Sequence, residues 1–225
     1  MESSLHRDLK IRYGTGCGGR CEVVVDGFRI DAVDGDGVLI EVQSASLGAL
    51  KPKLRRLLPL HRVHVVRPMI LERVIVRRDR FDGPDVSRRR SPKRGVLEDV
   101  FDDLVGIASF LSHPNLTMEL LGVTSEEVRV PRRRGRGAYV ADRLLLSITT
   151  SLSIRAATDL WKLLPVEISS MDVFTTADLA RKLGRPLAFA QRIAYCLRLA
   201  GVARQVGKRG NSLLYQSAEP VVLER

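Results

Sequence analysis

Apolar and polar positions follow two different periods along this chain, and each change of period marks a new element. Residues 2–13 place Leu5, Leu9 and Ile11 or Arg12 at helical spacing, and the run from Gly14 to Gly19 stops that helix. Cys21 to Val25 is β-branched, and Asp26-Gly27 is a hairpin turn signal. Phe28 to Val33 alternates, with Phe28, Ile30 and Ala32 on one face and Arg29, Asp31 and Val33 on the other. Asp34-Gly35-Asp36-Gly37 turns the chain into a third strand, Val38 to Gln43. Ser44 and Ser46 are candidate N-caps for a helix reaching about Leu58, which Pro52 either starts or kinks. His61 to Val66 and Arg73 to Arg78 read as two further strands. This order predicts a mixed α/β sheet flanked by helices.

Beyond residue 80 the pattern changes. Ser87 to Gly95 and Pro131 to Gly137 are arginine-rich and broken by Pro or Gly, so both read as connections. They divide the chain into an N-terminal domain, 1–80, a basic linker and helical bridge, 81–138, and a C-terminal domain, 139–225. The bridge segment, Val96 to about Glu127, reads as helical at its start, where Leu97, Val100, Phe101, Leu104 and Val105 line one helix face, and is expected to pack on one or both domains. Leu144 to Leu152 and Ile154 to Leu164 read as helices. Phe174 to Gly184 carries a Thr cap, Asp178 in its first turn and a terminal Gly. Pro186 begins a longer helix, Leu187 to Ala200, and strands around Val202–Val206 and Leu213–Gln216 flank a basic turn. Helix, turn, helix and basic hairpin is the order of a winged helix.

Composition narrows the classes of function. The 225 residues carry 44% apolar and 28% charged side chains, which excludes wholesale disorder. No apolar run reaches the roughly 18 residues of a membrane helix. The charged N-terminus is no secretory signal, so a cytoplasmic protein without a membrane partner is expected. A net charge of +11 points to a polyanionic partner. Aromatics are only 5%, so stacking on splayed bases is not the expected main contact. Cys17, Cys21 and Cys196 are expected as free thiols. The four histidines form no catalytic set: His61 and His64 pack or cap, and His6 and His113 have no sequence partner. Neither a Walker-type loop nor a nucleophile elbow occurs.

The stretch from Asp31 to Lys53 carries the chemistry. Glu41 and Gln43 are two apart on one strand and share a face, with Ile40 and Val42 on the other, and Asp31 lies one hairpin upstream. Two carboxylates converging beside a phosphate, here Asp31 and Glu41, suit Mg²⁺ or Mn²⁺ with water completing the shell.

Asp31 followed ten positions later by Glu41-Val42-Gln43, within helix, three strands, helix, strand over about residues 1–78, resembles the PD-(D/E)XK nuclease superfamily. The resemblance implies a restriction-endonuclease-like core in which Asp31 and Glu41 hold the metal. The third position, usually Lys, is Gln43 in this chain, which has no charge and is no base but still orients water. The resemblance also makes Glu2, on the first helix, a supplementary acid; by position, Lys51 and Lys53 on the helix after the Glu41 strand are candidates to replace the missing lysine in space, and Glu22 is another nearby carboxylate.

Between Thr176 and Gln216 eight basic residues stand against the single acid Asp178, which suits phosphate contacts. Arg181, Lys182 and Arg198 contribute charge, Gln191, Arg192 and Tyr195 lie on the expected recognition helix, and Lys208, Arg209 and Asn211 form the wing tip. The combined expectation is a metal-dependent DNA endonuclease of repair, recombination or defence. Duplex or branched DNA is delivered by the winged helix, and a homodimer is one open assembly. The alternative is a non-catalytic DNA-binding regulator or accessory subunit on a nuclease-derived scaffold.

Overall fold

The computed structural model describes residues 2–134 and 136–218. Met1, Gly135 of the second arginine stretch and residues 219–225 of the expected C-terminal domain lie outside the described residues. The protein is mixed α/β, but its two compact units are not contiguous in sequence. One comprises the chain up to Ser44, His64–Leu97 and Glu119–Leu152; the other comprises Ala45–Val63, Glu98–Met118 and the chain from Ser153. The expected bridge, 81–138, thus contributes to both units.

The first unit opens with α1 (Ser4–Tyr13), whose N-cap Ser3 accepts the His6 N–H. Strands β1 (Arg20–Val25), β2 (Phe28–Val33) and β3 (Leu39–Val42) follow, as the alternation predicted. Next come β4 (Val63–Arg78), β5 (Asp85–Arg90), β6 (Leu116–Pro131) and β7 (Ala138–Ile154). The seven strands form one sheet in the order β1-β2-β3-β4-β6-β7, with β5 paired to β4 as an edge. Leu5 and Leu9 of α1 are buried in one cluster with Ala32, Ile40, Val42, Val66, Leu121 and Val123. Each such leucine contributes about 1.5–3 kcal/mol by leaving water. Ile11, one of the expected helix-face residues, is exposed.

Three expectations are corrected here. The two strands expected at 61–66 and 73–78 are one strand, β4, which continues through Pro68. The first arginine stretch is not a connection: Arg88, Arg89 and Arg90 lie on β5 and pair with Val76, Ile75 and Val74. The later half of the bridge and the helix expected at 144–152 are the strands β6 and β7. β-Branched Ile148, Thr149 and Thr150 suit the extended form, and pairing decides between the two periods. Gly122 of β6 is required where it stands, since a Cβ would lie 2.5 Å from Thr150 Cγ2 and 2.6 Å from Leu71 Cδ1.

In the second unit Ser46 caps a 3₁₀ turn, Leu47–Leu50, which runs into α2 (Lys51–Leu57) with Pro52 in its first turn. A short helix, α3 (Phe101–Leu104), buries Phe101 and Leu104 fully. A 3₁₀ stretch, Ala157–Leu163, replaces most of the helix expected from Ile154. Then come α4 (Val166–Ser169), β8 (Val173–Thr175), α5 (Thr176–Leu183), α6 (Leu187–Leu199), β9 (Ala203–Arg209) and β10 (Ser212–Ser217). β8, which the alternation did not reveal, completes a small sheet ordered β8-β10-β9. The Thr175–Asp178 capping box starts α5 and Gly184, at φ 60°, ends it. Phe174 stacks on Tyr215 at 5.7 Å between ring centres and meets the edge of Trp161 at 5.9 Å. Among the described residues no helix is long and apolar enough to cross a membrane.

Side-chain hydrogen bonds hold α1 over the sheet at both ends. Asp142 of β7 accepts from the Ser4 N–H at 2.9 Å and the Ser4 hydroxyl at 2.6 Å. At the other end the Tyr13 hydroxyl donates to Glu119 of β6 at 2.5 Å, and His64 of β4 lies 3.8 Å from the same carboxylate. The hydrogen bond from His64, helped by those of Tyr13 and Ser151, outweighs burial and lowers the Glu119 pKa. Burial and the Glu119 carboxylate raise the Tyr13 pKa, so its proton stays available for donation. Because the Glu119 pKa is lower folded than unfolded, its contribution is present at neutral pH and lost as pH falls through the folded value. Glu119→Gln is therefore expected to cost about 1–2 kcal/mol at neutral pH. Urea midpoints of the two proteins should converge on acidification; a constant gap would show that ionised Glu119 is not the tether.

Candidate functional site

The β2–β3 ladder pairs Val33 with Leu39 and Ala32 with Ile40. One residue further, the Asp31 carboxylate takes the place of a backbone partner and accepts the Val42 N–H at 2.9 Å. The splayed strands thus bring Asp31 to the backbone of Glu41-Val42-Gln43. Glu41 is buried at 4% exposure, within a strand whose four residues are all buried. Gln43 is clamped by β4: its N–H donates to the Val66 carbonyl at 2.9 Å, and its carbonyl accepts from Arg67 at 2.7 Å.

Helix α1 adds His6 and Lys10 one turn apart, and Glu2, expected on this helix, instead lies just before its N-cap Ser3. The His6 imidazole lies 3.4 Å from Asp31 and 3.5 Å from Glu2. Lys10 Nζ lies 2.8 Å from Glu2 and also contacts Glu22 of β1, which pairs with Arg29. Lys10 is buried at 6% exposure, and an ammonium so placed depends on those carboxylates. Glu2 and Glu22, expected as supplementary acids, therefore share a network with Asp31. His6 and Lys10 were not anticipated. The four-residue spacing of Glu2, His6 and Lys10, alongside that of Leu5 and Leu9, was the available signal. Lys51 and Lys53 belong to the second unit, whereas Asp31, Glu41 and Gln43 belong to the first.

Among the described residues no group of three or more His, Cys, Asp and Glu side chains is arranged to hold a metal ion. Mg²⁺ is commonly held by one or two carboxylates with several waters, a requirement that Asp31 and Glu41 match in type and number. All three cysteines are free thiols, and burial raises the pKa of Cys196 to about 12, which makes it an inert packing residue.

The basic residues of the second unit divide by their partners. On α6, Arg192 bonds Asp102 of α3 at 2.9 Å, and Arg185, just before the helix, bonds Asp99 at 2.6 Å. Gln191, Tyr195 and Arg198 form the exposed stripe of α6, with the Arg198 guanidinium 5.8 Å from the Tyr195 ring centre. Arg181 and Arg209 approach Asp178 at 3.6 and 3.5 Å. Lys182, Lys208 and Asn211 are exposed, the last two around the turn where Gly210 takes φ 60°.

Comparison with known proteins adds the family. Residues 3–155 match the family described as a domain of unknown function, DUF8091, over a span that holds all seven strands of the large sheet and the Asp31 network apart from Glu2. The chain is also similar to an uncharacterized protein of Treponema pallidum (strain Nichols), 34% identical over 224 residues that cover 97% of this chain and 86% of that protein. No solved structure matches. By the extent of both matches, the chain belongs to the DUF8091 family.

Proposed function

We propose that the protein is a metal-dependent DNA nuclease of restriction-endonuclease-like type, with its site at Asp31, Glu41 and Gln43. The observation that carries the reading is the end of the β2–β3 ladder, where the Asp31 carboxylate holds the Val42 N–H beside Glu41. A divalent ion bound there supplies Lewis-acid polarisation of a phosphodiester and lowers the pKa of water. Asp31 and Glu41 hold it, and the Gln43 amide orients water without acting as a base. Lys10 supplies a buried positive charge within the same network, one helix away from the usual lysine position. Its neighbours Glu2 and Glu22 hold it in place.

A second reading has its own support. Asp31, Glu2 and Glu22 already meet His6, Lys10 and Arg29, so the acids are engaged by this chain's own side chains, as in a scaffold that binds DNA without cutting it. Substitution separates the two. Asp31→Asn keeps an acceptor for the Val42 N–H while removing the charge, and Glu41→Gln is similarly conservative. Both should lower Mg²⁺-dependent cleavage by more than the ~10–100-fold typical of a metal site's outer partners, with duplex affinity unchanged. Cleavage by Glu41→Gln equal to that of the natural protein would sink the nuclease reading. No Mg²⁺-dependent cleavage by the natural protein itself, with tight duplex binding, would favour the scaffold.

Duplex DNA is assigned to the C-terminal module read as a winged helix. Its support is the order α4, β8, α5, α6, β9, β10, the sheet order β8-β10-β9 and the exposed basic turn at Lys208 and Arg209. On α6 the readable stripe is Gln191, Tyr195 and Arg198, since Arg192 is engaged by Asp102. Each phosphate contact contributes about −0.9 to the log–log salt slope. Lys208→Ala with Arg209→Ala should therefore flatten the slope for duplex by roughly one to two units. An unchanged slope would move the DNA surface away from this hairpin.

A further inference from the structure

A groove of about 670 Å³ lies on the first unit, between the β4–β5 turn and the β6–β7 hairpin. That volume falls within the roughly 300–1,000 Å³ of ligand sites. Arg80 and Phe81 line one wall; Arg132, Arg133, Arg134 and Tyr139 line the other. Asp79 and Asp82 also face it, so four guanidiniums against two carboxylates leave a formal charge of +2.

Both walls are held by hydrogen bonds. Arg78 donates to Asp85 at 2.8 Å and to the Phe81 carbonyl at 3.4 Å, which fixes the turn that carries Phe81. The Gly83 N–H closes the same turn on the Arg80 carbonyl at 3.1 Å. In the hairpin the Arg132 N–H donates to the Gly137 carbonyl at 3.1 Å.

The rings narrow the choice of ligand. Phe81 is 48% exposed and Tyr139 45%, and among the described residues the only other exposed aromatic is Tyr195. The chain has few aromatics, yet two of its three exposed rings share one cationic groove. An anion alone needs the guanidiniums and not the rings. A duplex keeps its base faces stacked inside. A single strand offers phosphates and open base faces together, which is the combination this groove matches.

We infer that the groove binds single-stranded nucleic acid, with the arginines on phosphates and Phe81 and Tyr139 stacked on bases. This site is separate from the Asp31 network and does not depend on cleavage there. It gives base stacking a local part at this groove, beside the expectation from composition that stacking is not the main contact.

The test uses the full chain carrying Lys208→Ala and Arg209→Ala, so that the wing adds little to binding. Binding of a labelled oligothymidylate is compared with that of an abasic strand of equal length and of polyglutamate. Phe81→Leu with Tyr139→Leu keeps apolar bulk, and unchanged melting shows that the fold persists. The pair should weaken oligothymidylate binding about tenfold or more and leave abasic binding unaltered. Arg132→Ala, Arg133→Ala and Arg134→Ala together should flatten the salt slope by about two units, at about −0.7 per single-strand contact. Oligothymidylate binding indifferent to the leucine pair would overturn the proposal, as would equal loss of the abasic strand. Polyglutamate bound as tightly as oligothymidylate would assign the groove to acidic peptides instead. Loss of Mg²⁺-dependent cleavage in Glu41→Gln leaves all these outcomes unaffected, so failure of either proposal is separable.

Discussion

The hydrogen bond from the Val42 N–H to the Asp31 carboxylate fixes the geometry on which the candidate site depends. A backbone N–H in a buried strand must find an acceptor, and where β2 ends its pairing with β3 a side chain supplies one. The register that permits this is held by the core. Ala32, Ile40 and Val42 pack with Leu5 and Leu9, and a slip of one residue would turn that set away from α1. Hydrophobic burial thus determines where the carboxylate ends up. The same helix that covers the core carries His6 and Lys10, with Glu2 just before its N-cap, to the Asp31 network, so one packing event sets both the core and the polar network.

Legibility in the sequence followed how locally each element is determined. The first three strands are short, alternating and bounded by Asp-Gly or Gly-rich turns, so their limits could be read within a residue or two. The Thr175–Asp178 box and Gly184 likewise mark both ends of α5 by chemistry within the helix itself. β4 was harder because Pro68 argues against a continuous strand, yet the strand continues through it. The run Leu144-Leu145-Leu146 fits a helix as well as a strand, and only pairing with β6 settles the matter. Arg88-Arg89-Arg90 reads as a solvated loop because its partners lie more than ten residues away on β4 and β6. Of the site, the acids were visible in the spacing from Asp31 to Glu41. Lys10 was not, because its role arises only when α1 and β1 come together.

Buried carboxylates explain how a sheet this basic holds together. Glu127 of β6, 2% exposed, lies 2.7 Å from Arg129 and 3.5 Å from both Arg73 and Arg143. Burial alone would raise its pKa, but the hydrogen bond from Arg129 and the nearby guanidiniums lower it instead. Glu126, also buried, contacts Arg88 of β5. Each acid converts arginines that would repel one another into part of the packing. Such pairs add little net stability compared with apolar residues, but losing one partner leaves a buried charge exposed to its full desolvation cost.

That distinction separates structural arginines from available ones. On β5, which pairs with β4 and with no other strand among the described residues, charged side chains have a role without any ligand, since they discourage pairing with a second molecule. The hairpin at Arg132–Arg134 has no such explanation. Its residues lie in a turn between paired strands, where there is no free ladder to protect, and three adjacent guanidiniums repel each other at close range. Solubility alone does not call for that cost at one turn when the chain already carries a net charge of +11. Phe81 and Tyr139 beside them expose apolar rings that a purely protective surface would leave out. Mutual repulsion among the arginines and exposure of the rings are both relieved by one kind of partner, an anionic chain with flat apolar groups.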